Sequence, residues 1–138
     1  MAVAAGKAKL AVANSYYIAL MLSGKKGPEQ QAAAKKVTPV FPNQDNRGTH
    51  MNISGGGVTK YAPNKANAIK FLEFLLTKEA QQHIVNNTYE YPMISGVKPN
   101  KLIGQFGTSF KQDTKTKVST YYKNQKKALA LMKKAGWK

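Results

Sequence analysis

An α/β fold is what the sequence predicts, on three observations. Short β-type apolar runs alternate with stretches of helical periodicity, and clusters of Gly, Pro and Asn separate them. The chain of 138 residues holds no internal repeat or low-complexity tract. That length is enough for one ordinary domain with a single core, provided its elements form a closed set.

The opening stretch from Ala2 to Ala8 reads as the last turns of an amphipathic helix running into a strand, so the chain is expected to begin in the middle of something larger. Lys9 to Ala13 is a short β-type run. Asn14 and Ser15 then offer two good N-cap residues ahead of the helical run Tyr16 to Leu22. Gly24 to Pro28 break that helix, and Pro28 at a first-turn position, followed by Glu29 and three alanines, starts the next. Val37 to Phe41 reads as a strand, placed at an edge by Pro39. Pro42 to Gly48 is a polar loop, and His50 to Ser54 has the alternation of a half-buried strand that ends in Gly55-Gly56-Gly57, a bulge or bend.

Asn64 is placed to cap a helix whose apolar face carries Ile69, Leu72, Leu75 and Leu76, widened by Phe71 and Phe74. Thr77 with Glu79 marks a second helix start that continues to about Val85. Tyr89 to Pro92 is extended and Pro99 to Asp113 irregular. From about Lys117 a helix carries Val118, Tyr121, Tyr122, Leu129 and Met132 on one face, and it stops at Gly136.

Charge and cysteine content narrow the function. The formal net charge is +16, large enough to raise nucleic-acid binding, yet of 22 basic residues only Arg47 is arginine. Bidentate phosphate and base-edge recognition favour the guanidinium fork, and these lysines are scattered from Lys7 to Lys138 as solvated faces. No nucleic-acid partner is expected. Cysteine is absent, which excludes a disulfide framework and a thiolate metal site. No secretory signal and no apolar run of membrane-spanning length occurs in the sequence, so a signal peptide, if the parent is secreted, is expected outside this chain.

Adjacent tyrosines at the strand-to-helix junction are the most informative feature. A phenol with a pKa near 10 is a poor ligand, but a trivalent hard cation favours the phenolate enough to displace its proton. Neighbours converge on one ion only where the backbone bends sharply, as at a helix start, where free N–H groups also face any accompanying anion. Tyr121-Tyr122 serves as an internal control, since mid-helix neighbours diverge by about 100°. Tyrosine pairs are commonly packing elements, and spacing alone leaves that reading open.

Other constellations are weaker. His50 and His83 lack any metal-ligand spacing, the glycine run lacks the Lys-Ser/Thr of a phosphate loop, and the six carboxylates form no active-site pair. Nothing reads as an enzyme.

Four segments, taken in order, resemble the ferric-iron-binding periplasmic proteins of the type II solute-binding superfamily: Asn14 to Leu22, Phe41 to Gly55, Ala62 to Leu75, and Tyr89 to Pro92. The resemblance runs over essentially the whole chain and is identified with the C-terminal portion of such a receptor. It implies a partial type II periplasmic-binding-protein-like α/β fold with segments of both lobes. Residues 1–47 would be a second-lobe segment with the tyrosine pair, 48–97 a crossover and first-lobe segment, and 98–138 the second-lobe return with the C-terminal helix.

The same resemblance implies capture of ferric iron, Fe(3+), for an ABC importer. Tyr16 and Tyr17 would be the metal ligands, and Asn14 would help hold a synergistic anion such as carbonate or phosphate. The implied partners are the ABC permease and the missing N-terminal part of the same receptor, and the implied location is the periplasm. Family ligands from the first part of such a receptor have no counterpart here. Some members carry an arginine one turn after the tyrosines, where this chain has Ile18, Ala19 and Leu20. A type II receptor for another small ligand and a basic nucleic-acid-binding module are the alternative readings.

Overall fold

A computed structural model describes residues 1–137; Lys138, the last of the lysines read as solvated, lies outside the described residues. Six helices follow in order: α1 Ser15–Leu22, α2 Pro28–Ala34, α3 Lys65–Leu75, α4 Lys78–Thr88, α5 Lys101–Gly104 and α6 Ser119–Lys134. They fall into two compact units, one made of Met1–Val40 with Asn52–Ser109, the other of Phe41–Met51 with Phe110–Lys138.

In the first unit α1 packs on α2 and on α5. Its core is small: Ala19 and Ile103 are fully buried with Tyr89, and Tyr16, Leu20, Tyr91, Leu102 and Phe106 pack around them. Ala19 lets α5 approach α1 closely, so Ile103 fills the space a larger side chain on α1 would take. The turn from α1 to α2 runs through Gly24 and Gly27, both at positive φ, and the Gln31 amide closes it by donating to the Leu22 carbonyl at 2.8 Å. Ala33 and Ala34 are the buried face of α2.

Helices α3 and α4 form a second pair in this unit. Thr77 caps α4 by accepting from the Ala80 amide, as its position in the sequence predicts. Gln81 is buried with both ends of its amide used: it donates to the Leu75 carbonyl at 2.8 Å and accepts from the Met93 amide at 2.9 Å. Beyond α4, Tyr89 turns the chain in the left-handed region, with φ of 60°. Tyr91 follows, its hydroxyl 2.7 Å from the Gly107 carbonyl and 3.1 Å from that of Ile103. Burial pushes that phenol up to about 12.

The second unit is organised by a loop and a helix. Thr49 and Gln112 form an isolated parallel bridge, and the Gln44 amide extends it by accepting from the Lys111 amide at 2.8 Å and donating to its carbonyl at 3.1 Å. Gly48 is required beside it, because a Cβ there would lie 2.7 Å from the Gln112 backbone. Phe41 stacks on Phe110 with centroids 4.0 Å apart. Asp113 accepts from Lys115 and Thr116, and its bonds with Thr116 hold the carboxyl below its ordinary value. Helix α6 then ends at Gly136, with φ of 72°.

Several expectations need correction. Lys9–Ala13, Val37–Phe41 and His50–Ser54 are not strands: no ladder forms among the described residues beyond the bridge at Thr49. A strand exists only with a partner's N–H and C=O groups, and these runs are solvated instead, with Leu10 at 88% and Val12 at 84% exposure. The glycine run from Gly55 to Gly57 therefore bulges from nothing. The opening helical turns reduce to turns closed by Ala5 on Met1 and Lys7 on Ala2. The irregular stretch after Pro99 contains one helical turn, α5, which Asn100 caps by accepting from the Leu102 amide.

The apolar face foreseen on α3 is solvent-facing: Ile69, Phe71, Phe74 and the following Leu76 are 41–58% exposed, and Leu72 is half-buried. Exposed apolar area on this scale disfavours a stable solitary chain. The isolated chain should accordingly bind a hydrophobic reporter dye and unfold without a sharp transition. Cooperative unfolding of a monomer with several kcal/mol of stability, seen by calorimetry and sedimentation, would contradict this.

Candidate metal centre

Tyr16 and Tyr17 occupy the first turn of α1, as their spacing behind Asn14 predicts, although the segment before them is extended chain rather than a strand. Tyr16 is half-buried against the Ala19 and Ile103 core, and Tyr17 is 51% exposed. Their rings lie 4.4 Å apart between centroids and tilt by 50°. Packing thus seats the Tyr16 ring, while Tyr17 lies against it with half its surface in solvent. The control pair, Tyr121 and Tyr122, sits in α6, with exposures of 39% and 85%.

Asn14 stands at the N-cap position of α1 yet makes no side-chain cap bond. Its amide is engaged elsewhere. Nδ2 donates to the Tyr16 hydroxyl at 3.3 Å, and Oδ1 accepts from Asn52 Nδ2 at 3.1 Å. A cap of this kind stabilises a helix by about 1 kcal/mol, so its diversion toward a phenol sets the site's geometry above the helix's own termination.

Glu90 adds a charge. Ser54 Oγ donates to one carboxylate oxygen and Thr88 Oγ1 to the other, both at 3.1 Å. The Tyr16 phenol is raised above its ordinary value chiefly by its hydrogen bond with Tyr17, then by desolvation and the nearness of Tyr17, with Glu90 adding to the rise and the Asn14 donor opposing it. Near neutral pH the phenol is therefore protonated, and a metal bound to its oxygen would displace that proton. Hard oxygen donors at the helix start suit a hard trivalent ion, and among the described residues no group of three His, Cys, Asp or Glu side chains offers a rival centre.

His50 lies in the second unit with Nδ1 3.4 Å from the Tyr121 hydroxyl, and His83 is exposed on α4. Sequence reasoning singled out Asn14, Tyr16 and Tyr17 and left Asn52 and Glu90 unassigned. Both lie within segments that carry the family resemblance, but they stand 38 and 76 positions from Asn14, where no periodicity reaches.

A family model described as bacterial extracellular solute-binding protein matches residues 2–82. Two relatives from Synechocystis sp. are iron uptake protein A1, 45% identical over 99% of this chain and 37% of its own length, and iron uptake protein A2, 40% identical over 99% and 39%. Among solved structures, a Trichodesmium protein in complex with iron and citrate is 52% identical, with a TM-score of 0.89 over 99% of this chain and 42% of its own. The ferric binding protein of Campylobacter jejuni is 40% identical, with a TM-score of 0.83 over 99% and 42%. The chain spans about two fifths of the length of these relatives. Its fold is that of part of a type II periplasmic ferric-binding protein, so the expected fold class holds although the sheet ladders do not form here.

Opposing influences on Tyr16 make a measurable pair. Asn14→Ala should raise its phenol pKa further, and Tyr17→Phe should lower it, in a tyrosine-labelled NMR titration. Shifts of the same sign in both variants would contradict the geometry.

Proposed function

The chain belongs to the bacterial extracellular solute-binding protein family, and on that premise we propose that it captures ferric iron as part of the solute receptor of an ABC importer. The observation that carries the reading is the first turn of α1, where two phenols stand side by side and an amide that forgoes capping donates to one of them. Relatives named for iron uptake and for ferric binding support it. The module binds and delivers; it is not an enzyme.

Fe(3+) is the cargo. Its charge displaces the phenol protons of Tyr16 and Tyr17, and the two phenolates hold it at the mouth of α1. Asn14 donates toward the oxygen-rich site and helps retain a synergistic anion such as carbonate or phosphate; a Trichodesmium relative in complex with iron and citrate supports an anion accompanying the metal. The remaining positions are filled by that anion, by water, or by the rest of the receptor. Protonation of the phenolates, or reduction to the less highly charged ferrous ion, releases the cargo to the permease.

The same proposal places the work in the periplasm. It assigns residues 1–47 and 98–138 to the second lobe of the receptor and 48–97 to the crossover and first lobe, with the N-terminal part of the receptor completing both. Closure of the two lobes over the ion follows the hinge behaviour of such receptors.

Ferric nitrilotriacetate titrated into the 138-residue chain provides the test. A visible phenolate-to-iron band should develop, weak in affinity and strengthening from about pH 5 to 8 as the phenols release their protons. Tyr16→Phe with Tyr17→Phe keeps the rings and deletes both oxygens, and should abolish the band; Tyr121→Phe with Tyr122→Phe should leave it. Equal retention in both double variants would overturn the assignment and favour a receptor for another small ligand.

A further inference from the structure

We infer that Asn52 is a positioning residue for ferric binding: it orients the Asn14 amide so that the donor end, and not the acceptor end, faces the Tyr16 oxygen. The inference rests on the ferric reading above. Its basis is a relay of two side-chain amides and one phenol, in which Asn52 Nδ2 donates to Asn14 Oδ1 at 3.1 Å and Asn14 Nδ2 donates to the Tyr16 hydroxyl at 3.3 Å.

An amide carries its acceptor and its donors at opposite ends, so a donor placed on one end decides what the other end offers. A phenolate can only accept. With Oδ1 engaged by Asn52, Asn14 presents N–H to the Tyr16 oxygen; with the amide turned over, Oδ1 would face a metal-bound phenolate oxygen, two acceptors set against each other. Asn14 itself has a competing role, since its position would let Oδ1 cap α1. Asn52 occupies that oxygen instead.

The segment carrying Asn52 is tied down close by. Residues 50–59 have no regular structure, and Asn52 is exposed, so packing does not hold its side chain. Ser54, two positions on, donates to Glu90, whose other oxygen is taken by Thr88. That anchor keeps Asn52 within reach of Asn14. Sequence separations of 38 and 36 residues join this loop to the α1 start and to the end of α4.

Two nearly isosteric replacements separate orientation from charge and from mere structure. In the 138-residue chain titrated with ferric nitrilotriacetate, Asn52→Leu removes the donor and should weaken binding about 3- to 10-fold, the scale of one net hydrogen bond. It should also move the phenolate-to-iron band to longer wavelength, because a phenolate without its donor gives up electron density more readily. Asn52→Asp can only accept, so it forces Asn14 to turn over and should weaken binding more than Asn52→Leu does. Charge acting alone gives the opposite order, since an added carboxylate attracts the cation. With Asn14→Leu in place, both replacements should lose their effect.

Circular dichroism matching the parent is expected for both, as Asn52 is exposed. Tighter binding by Asn52→Asp than by Asn52→Leu, or losses that persist unchanged with Asn14→Leu, would overturn the inference. The Tyr16→Phe, Tyr17→Phe variant keeps the two readings apart. If it retains the band, the ferric reading itself fails; if it loses the band while the Asn52 variants behave alike, only the role of Asn52 falls.

Discussion

Everything at the candidate centre depends on how the first turn of α1 is held, and it is held by packing rather than by its own cap. Ala19, on the face of α1 toward α5, sits against Ile103 and Tyr89, and Tyr16 joins that cluster from one turn earlier. The ring of Tyr16 is thereby fixed at the helix start while Tyr17 keeps half its surface in solvent. Because the core seats the helix, Asn14 is released from terminating it and can act on a phenol. Removing the small residue at Ala19 would push α5 away and lose both effects together.

The chemistry that follows is a contest between proton and metal. Tyr17, partial burial and the Glu90 charge all hold the proton on Tyr16, and Asn14 alone works against them. On the proposed reading, the charge of a trivalent ion is what displaces this proton. The proposed iron–phenolate bond would be reversible for the same reason: loss of metal charge on reduction, or a fall in pH, returns the advantage to the proton.

Local signals were legible and pairing signals were not. The helix start after Asn14, Pro28 at the head of α2, Thr77 as the cap of α4 and Gly136 as the stop after α6 are all short-range signals, and each stands where the sequence predicts, although Asn14 makes no side-chain cap bond. The runs at Lys9–Ala13, Val37–Phe41 and His50–Ser54 have strand composition, but a strand needs partner backbone, and among the described residues none pairs with them. Asn100 escaped notice because one capped turn among glycines and prolines has no periodicity to reveal it. At the site, the tyrosine pair announced itself through adjacency. Asn52 and Glu90 did not, since only the path of the loop and the end of α4 bring them to Asn14 and Tyr16.

Resonance Raman spectroscopy on the iron-loaded chain tests the central claim most directly, because excitation in the visible band enhances only the vibrations of groups bonded to the metal. Iron held by Tyr16 and Tyr17 predicts strong tyrosinate ring modes that shift when tyrosine is supplied ring-deuterated. A spectrum showing only the modes of the iron chelate, with no ring modes sensitive to that labelling, would contradict the account.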